Sequence, residues 1–499
     1  MNAACFWGQV GAGHSVQACS STASGVLPLD CADRRRNVRF MRLTRRKFIR
    51  HSAVASAALH TPSLLAQIAG QRPVRDKTVT VLNPRARVPV GFIIDDSTCL
   101  VNLNRFTMPQ FDQAFAGANK TYHRNWREWP HEIPDSFVRK FGEWCAEHGV
   151  KGKYSIVPYP ACVGRLDRML PGWTQRELSD SLELVRTLML PNWDIHPEMV
   201  THSRVIDTKT GHPYADHSLK FMENWEWTTG RSADEIADYL AYALRILKNV
   251  GLPCEGITTP GGFGNKALPQ LAQASLESVR EVFNAEIPHY FRHLYSEGSE
   301  SVAPRVEYAG GLDGNDPRCV VSIIGCSGDW TGGWDNTPPG GVDKFITADG
   351  KSGRMVEIIE RGEPALALGH WTGIWWNGQE LGFKVWQEVV RRLHAHFDNL
   401  LWMKLSEVAR YWAAKELTRM ERAGDTIQFN APFACPDFTI EFTAASNAVP
   451  RLAAANQVSV PLNEKQRRLD LKSGHWHRTR ERVTCCFNLP KGSSQLRFG

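Results

Sequence analysis

From Thr78 onward, short continuous apolar runs alternate along the chain with longer stretches whose apolar residues recur at helical spacing. Val88-Pro89-Val90-Gly91-Phe92-Ile93-Ile94 is one such run, and it ends directly in Asp95-Asp96. An uninterrupted apolar run of this kind is the pattern of a parallel strand buried on both faces. Residues 152–158, 255–259, 319–324 and 364–368 read as further strands. Residues 136–148 carry helical spacing and stop before Gly149, a C-cap residue. Residues 174–190 and 232–250 are predicted helices with capping boxes, Thr174 with Glu177 and Ser232 with Glu235, and Gly251 ends the second. Residues 381–397 and 404–420 are the closing helices. Strands alternating with helices predict an α/β fold, a parallel (β/α) barrel over residues 77–420.

The period changes near Glu421. Thr426-Ile427-Gln428-Phe429-Asn430, Phe438-Thr439-Ile440-Glu441-Phe442 and residues 457–461 alternate apolar with polar positions, and Gly, Pro and Asn punctuate them. Residues 421–499 therefore read as a small antiparallel β-sandwich.

Charge redraws the start of the chain. The formal net charge is +7 over 499 residues. Residues 1–70 hold Arg34, Arg35, Arg36, Arg39, Arg42, Arg45, Arg46, Lys47 and Arg50 against Asp30 and Asp33, which accounts for the whole excess. The body is formally neutral, so it offers no basic face for a nucleic acid. Thr44-Arg45-Arg46-Lys47-Phe48-Ile49-Arg50, the mildly apolar stretch 52–66 and the small-residue end Leu64-Leu65-Ala66 together resemble a twin-arginine export signal over residues 41–70. That reading makes Met41 the start of translation, residues 1–40 an over-extended gene annotation, and the mature protein periplasmic or extracellular. No run reaches the ~18 apolar residues a membrane-spanning helix needs, so no transmembrane segment is expected. Of the twelve cysteines, Cys5, Cys19 and Cys31 fall in the presumed extension, and the others show no CxxC or zinc-finger spacing.

Reactive side chains collect at predicted strand ends, where a parallel barrel carries its chemistry. Asp95-Asp96 can place one carboxylate on a metal and its neighbour as a base. In Trp193-Asp194-Ile195-His196-Pro197-Glu198-Met199-Val200-Thr201-His202, Glu198 and His202 are four apart and would share a face on one helical turn, with His196 near enough to substitute. A mixed imidazole and carboxylate set suits zinc and other transition ions. His370 ends the apolar run Ala365-Leu366-Ala367-Leu368-Gly369, beside Trp371, Trp375 and Trp376, and Trp330 and Trp334 follow Asp329 in another strand-end loop. Aromatic faces next to polar groups are what carbohydrate recognition needs.

On these residues the chain resembles the polysaccharide deacetylases that carry the NodB-homology domain. Asp95-Asp96 is similar to their first motif, Thr201-His202 to the end of their His-Ser/Thr-x-x-His motif, and Leu368-Gly369-His370 to their Leu-x-His motif. Asp329-Trp330 resembles the Asp-Trp that orients the catalytic histidine. The resemblance implies a distorted (β/α) barrel of the polysaccharide-deacetylase type, with Asp95 as base, His370 as proton donor oriented by Asp329, and a divalent metal on Asp96, His202 and either Glu198 or His196. It implies hydrolysis of an acetamide on a carbohydrate substrate, with Pro260 and the tryptophans Trp330, Trp334, Trp371, Trp375 and Trp376 contacting the sugar. Two positions depart from the pattern. Glu198 stands where the family has its first metal histidine, and Thr258-Thr259-Pro260-Gly261 replaces Arg-Pro-Pro-Tyr, so the activating arginine is absent. Residues 203–231, rich in Trp, His and Tyr, look like an added loop over the site. The alternatives are a metal-free glycoside hydrolase on the same barrel, recruiting Asp95 with Glu198 or Asp329, and a non-catalytic carbohydrate-binding protein.

Overall fold

The structure is a computed structural model that describes residues 73–445, 448–454 and 458–499. The segments expected to be an over-extension and an export signal, with Cys5, Cys19 and Cys31, lie outside the described residues.

Seven parallel strands make two ladders that two short seams join into an open ring: β1 (Val88–Asp95), β2 (Gly152–Ile156), β3 (Trp193–Pro197), β4 (Gly256–Thr258), β5 (His289–Leu294), β6 (Arg318–Gly325) and β7 (Ala365–His370). One ladder runs β7–β1–β2–β3 and another β4–β5–β6, with Arg305–Gly310 antiparallel on the outer edge of β6. The ladders meet at two seams. A single bridge joins Glu198, just past β3, to Thr258 of β4, and the Cys326 amide donates to the Leu366 carbonyl at 2.8 Å between β6 and β7. The fold is therefore mixed α/β with parallel strands, as the alternation predicts, but no continuous hydrogen-bonded ladder closes the ring among the described residues.

Both faces of β1 are buried, which is why it reads as an unbroken apolar run. Phe92 stacks on Trp386 of the helix Leu381–His396, with centroids 3.8 Å apart. The predicted helices appear as Asp135–Glu147, Gln175–Leu184 and Ala233–Asn249, and Gly149 takes a positive φ just past the first. Both capping boxes form, with Glu177 N–H on Thr174 Oγ1 at 3.2 Å and Glu235 N–H on Ser232 Oγ at 3.2 Å. The second predicted helix continues beyond Leu184 as a π-helical turn, Val185–Met189. The last helix, Leu405–Leu417, ends three residues before Met420, which belongs instead to the strand Arg419–Ala423. Leu103–Ala114, Leu268–Phe283 and Leu400–Trp402 are elements the periodicity did not mark.

Beyond the ring, two largely antiparallel sheets share one apolar core. Phe429 of one meets Phe438 and Phe487 of the other at centroid distances of 6.4 and 5.5 Å. Val79–Val81 pairs antiparallel with Cys435–Thr443, so the start of the described chain belongs to these sheets rather than to the ring. Tyr411 of the helix Leu405–Leu417 links the regions, its hydroxyl donating to Leu82 O at 2.8 Å and accepting from Thr439 N–H at 3.1 Å. The nine cysteines among the described residues are free thiols, including the adjacent Cys485 and Cys486.

Candidate metal centre

The site grows from the ends of β1, β3 and β7. In β7 and β1, His370 lies directly beside Asp95 in register. Asp96 follows with φ 65°, a left-handed conformation that Asp tolerates better than most residues, and the strand ends there. Its amide donates to Glu198 Oε2 at 2.8 Å.

Glu198 and His202 do not share a helical turn as expected. β3 ends at Pro197, and residues 198–204 form a loop in which Met199 and His202 take positive φ of 55° and 63°. The loop folds back so that His202 Nε2 lies 3.2 Å from Glu198 Oε1 and 3.3 Å from Asp96 Oδ1. One donor atom from each of Asp96, Glu198 and His202 falls within 4.8 Å of the other two, and all three residues are buried. His196 does not join them. It points inward lower in the ring, with Nε2 2.9 Å from His289 Nε2, so of the two alternatives for the third donor the geometry selects Glu198.

What holds this loop is Glu223, a residue the sequence reading passed over. Its carboxylate accepts the backbone N–H of His202 at 2.6 Å and of Thr201 at 3.1 Å, and the Tyr239 hydroxyl donates to it as well. Burial, opposed by these donors, leaves Glu223 with a pKa raised to about 7. The only hint in the sequence is an acid set among apolar residues, in Met222-Glu223-Asn224-Trp225 of the added loop.

Lys153 was missed too. It sits fully buried in the middle of β2, and its ammonium forms an ion pair with the Asp95 carboxylate. Ser155 Oγ at 2.6 Å and the Ile94 carbonyl at 3.2 Å take its other donors. A lysine interrupting a predicted apolar strand was the available signal. No arginine stands at the end of β4, where Thr258, Thr259 and Pro260 are buried, and the cation paired with Asp95 is Lys153 of the adjacent strand β2.

The electrostatics follow from carboxylates crowded out of water. Burial alone would lower the His202 pKa, but Glu198 and then Asp96 beside it raise it to about 9. Burial is likewise outweighed at Glu198, whose pKa His202 lowers to about 2. At Asp96 burial wins over His370 and His202, and the pKa rises to about 6. His370, with Asp329 Oδ1 2.9 Å from its Nδ1, is raised well above the usual imidazole range despite its burial. The surplus negative charge of the carboxylates thus favours protons on both imidazoles. Two carboxylates and an imidazole around one point fit a divalent cation such as zinc, which would take the place of the His202 proton.

The aromatic residues divide. Trp371 is fully buried against Phe137, Phe141 and Tyr154, and Trp375 lies in the same core, so neither faces a substrate. A side chain following an inward-facing strand residue points outward, and here His370 faces in. Pro260 is buried, its carbonyl accepting Phe263 N–H at 3.0 Å. Trp376 is half-buried. Trp330 packs on Phe345 and lines an open groove with Lys344, Glu357 and Arg354. Trp334 donates its backbone N–H to Asp329 Oδ2 at 3.0 Å and meets Phe111 and Tyr122 at 5.8 and 6.1 Å. Trp225, two residues beyond Glu223, completes this cluster against Phe111 at 5.0 Å. The aromatic wall tied to the site is therefore Trp334, Trp225, Tyr122 and Phe111.

No protein-family model matches the sequence, and no curated protein does. Among solved structures the chain is similar to a Puue allantoinase, at 12% identity over 66% of this chain and 91% of that one, with a TM-score of 0.35. It is also similar to a putative α-L-fucosidase from Bacteroides thetaiotaomicron, at 10% identity over 87% of this chain and 95% of that one, with a TM-score of 0.28. An Anoxybacillus α-amylase gives 7% identity over 82% of this chain and 98% of that one, with a TM-score of 0.28. Scores this low carry no argument about the chemistry, which rests on the site's own residues.

Proposed function

We propose that this chain is an exported, metal-dependent hydrolase that removes acetyl groups from an N-acetylated glycan, working on a distorted barrel of the polysaccharide-deacetylase type with an accessory β-sandwich. The observation that carries the reading is the convergence of Asp96, Glu198 and His202 within 4.8 Å, beside Asp95 and an Asp329-paired His370. The paired arginines of the leader, Arg45-Arg46, support export.

Asp96, Glu198 and His202 would hold the ion, which supplies Lewis acidity toward the acyl oxygen when bound. Asp95 accepts the proton of the attacking water, and Lys153 fixes the orientation of its carboxylate from below. His370, kept protonated by Asp329 and its neighbouring carboxylates, donates to the departing amine. Glu223 keeps His202 in place through the backbone. The wall of Trp334, Trp225 and Tyr122 takes the apolar face of a sugar.

The test is acetate release from N-acetylated chitooligosaccharides and peptidoglycan fragments by the purified mature protein, with and without chelator. Acetate that disappears with EDTA and returns with Zn2+ supports the reading. New reducing ends insensitive to chelator would instead establish a glycosidase, and glycan binding without turnover a binding protein.

A further inference from the structure

A second group of metal-type donors lies inside the ring, apart from the mouth. Asp194 and His196 alternate along β3 and so face the same way, into the ring. His289 opens β5, opposite Gly256 of β4. The two imidazoles meet across β4, Nε2 to Nε2 at 2.9 Å, and one donor atom from each of Asp194, His196 and His289 lies within 4.8 Å of the others. The meeting depends on Gly256, because a Cβ there would fall 2.6 Å from both Nε2 atoms.

We propose that Asp194, His196 and His289 form a second divalent-cation site, set inside the ring with both imidazoles buried and Asp194 at its partly exposed edge, that takes zinc or a similar borderline ion as a structural element. A hydrogen bond between two histidines needs only two rings, whereas here a carboxylate is held within reach of both. Its oxygens are fixed from outside, Oδ2 by the Ser406 N–H at 2.6 Å and Oδ1 by the Ser406 hydroxyl at 2.8 Å. His196 Nδ1 rests 3.3 Å from Thr258 Oγ1, so its other ring nitrogen is anchored as in metal-binding histidines generally. Two imidazoles on a tetrahedral zinc have nitrogens about 3.3 Å apart, so admitting the ion requires the rings to separate by only a few tenths of an ångström. Neutral imidazole is the ligating form, and complete burial favours it at both rings. Both rings are fully buried, so the ion is captured as the chain folds and leaves only when the ring opens. The proposal stands whether or not the mouth is catalytic.

The experiment is elemental analysis of the full chain produced in zinc-supplemented medium, repeated after native dialysis against EDTA and after EDTA in guanidinium chloride. About two zinc ions per chain are expected, one removed by native dialysis and the other only with denaturant. His289→Gln should lose the resistant ion and keep the labile one, and Asp96→Ala the reverse. Absence of a chelator-resistant ion in the wild-type protein overturns the proposal, and that measurement decides the matter even if His289→Gln does not fold. A resistant ion that persists in His289→Gln also overturns it. A resistant ion without a labile one supports it and counts against the mouth site alone.

Discussion

Two pairs of histidines occupy the same ring, and their electrostatics are opposite. His202 and His370 at the mouth, like His196 and His289 below, are pressed toward the neutral form by burial. At the mouth that pressure is overcome, because Glu198, Asp96 and Asp329 lie between 2.9 and 3.3 Å from the rings. Inside, burial prevails at both rings: the His289 ring and the Lys153 ammonium add to it at His196, and Glu255 opposes it at His289 without overcoming it. Burial is common to both, so the charges beside each ring decide which histidine carries a proton. One region is built to handle charge, and the other offers neutral donors.

The sharpest way to break the comparison is to remove charge from the mouth while keeping its shape. Asp95→Asn should lower turnover by about 10²- to 10⁴-fold, the range for loss of a general base, while the zinc content stays at its wild-type value. Steady-state kinetics with parallel elemental analysis checks both parts. Turnover within a few-fold of wild type would remove Asp95 from the mechanism. Lys153→Met strands the Asp95 carboxylate in the core and should cost about 3–5 kcal/mol in denaturant unfolding. Adding Asp95→Asn to that variant removes the stranded charge and should restore part of the loss. Additive losses would mean that the two residues do not share an ion pair.

The pH dependence of stability separates the regions by sign. In metal-free protein His289 stays neutral down to about pH 4, whereas in the unfolded chain it protonates below 6.5. The unfolded state then binds more protons. The contribution is thus complete above pH 6.5 and shrinks as pH falls toward 4, by on the order of 3 kcal/mol in all. His202 runs the other way: its pKa of about 9 exceeds 6.5, so its contribution is complete below 6.5 and is lost as pH rises through 9. Unfolding curves of wild type and His289→Gln, both stripped with EDTA in guanidinium chloride and refolded without zinc, should diverge in the acid half between pH 4 and 7. Parallel curves would show that His289 is already protonated in the native state.

How much of this was legible in the sequence depended on whether the signal was periodic or an exception to a period. The capping boxes at Thr174 and Ser232, and the strand running into Asp95-Asp96, follow from local patterns that packing did not override. The grouping of Asp96, Glu198 and His202 was anticipated, though by a helical turn that Pro197 and the positive φ of Met199 exclude. Lys153, Glu223 and His289 were passed over because each is polar in an apolar setting, and a period read for packing treats such residues as noise. Their partners, Asp95, the His202 amide and His196, are 58, 21 and 93 positions away, so no local window contains the pair. Trp371 erred in the opposite sense. Aromatic residues beside His370 suggested a sugar platform, but strand alternation turns the next side chain outward, into the helical layer.

The smallest expected effect is the most specific to the mouth. Glu223 touches none of Asp96, Glu198 and His202 through their side chains and acts on the peptide N–H groups of Thr201 and His202. Glu223→Gln keeps the volume but replaces one acceptor oxygen with an NH2 group, so one side of the loop loses its partner. His202, in a left-handed conformation that the loop must maintain, is then less firmly placed. The zinc affinity of the mouth should fall by about 10- to 100-fold, as is usual when the support of a ligand is weakened, and the chelator-resistant ion should be untouched. A competition titration against a chromophoric chelator measures the first, and denaturant-released zinc the second. If Glu223→Gln weakened both ions equally, the loop would be a general stabiliser of the ring rather than a support for one site.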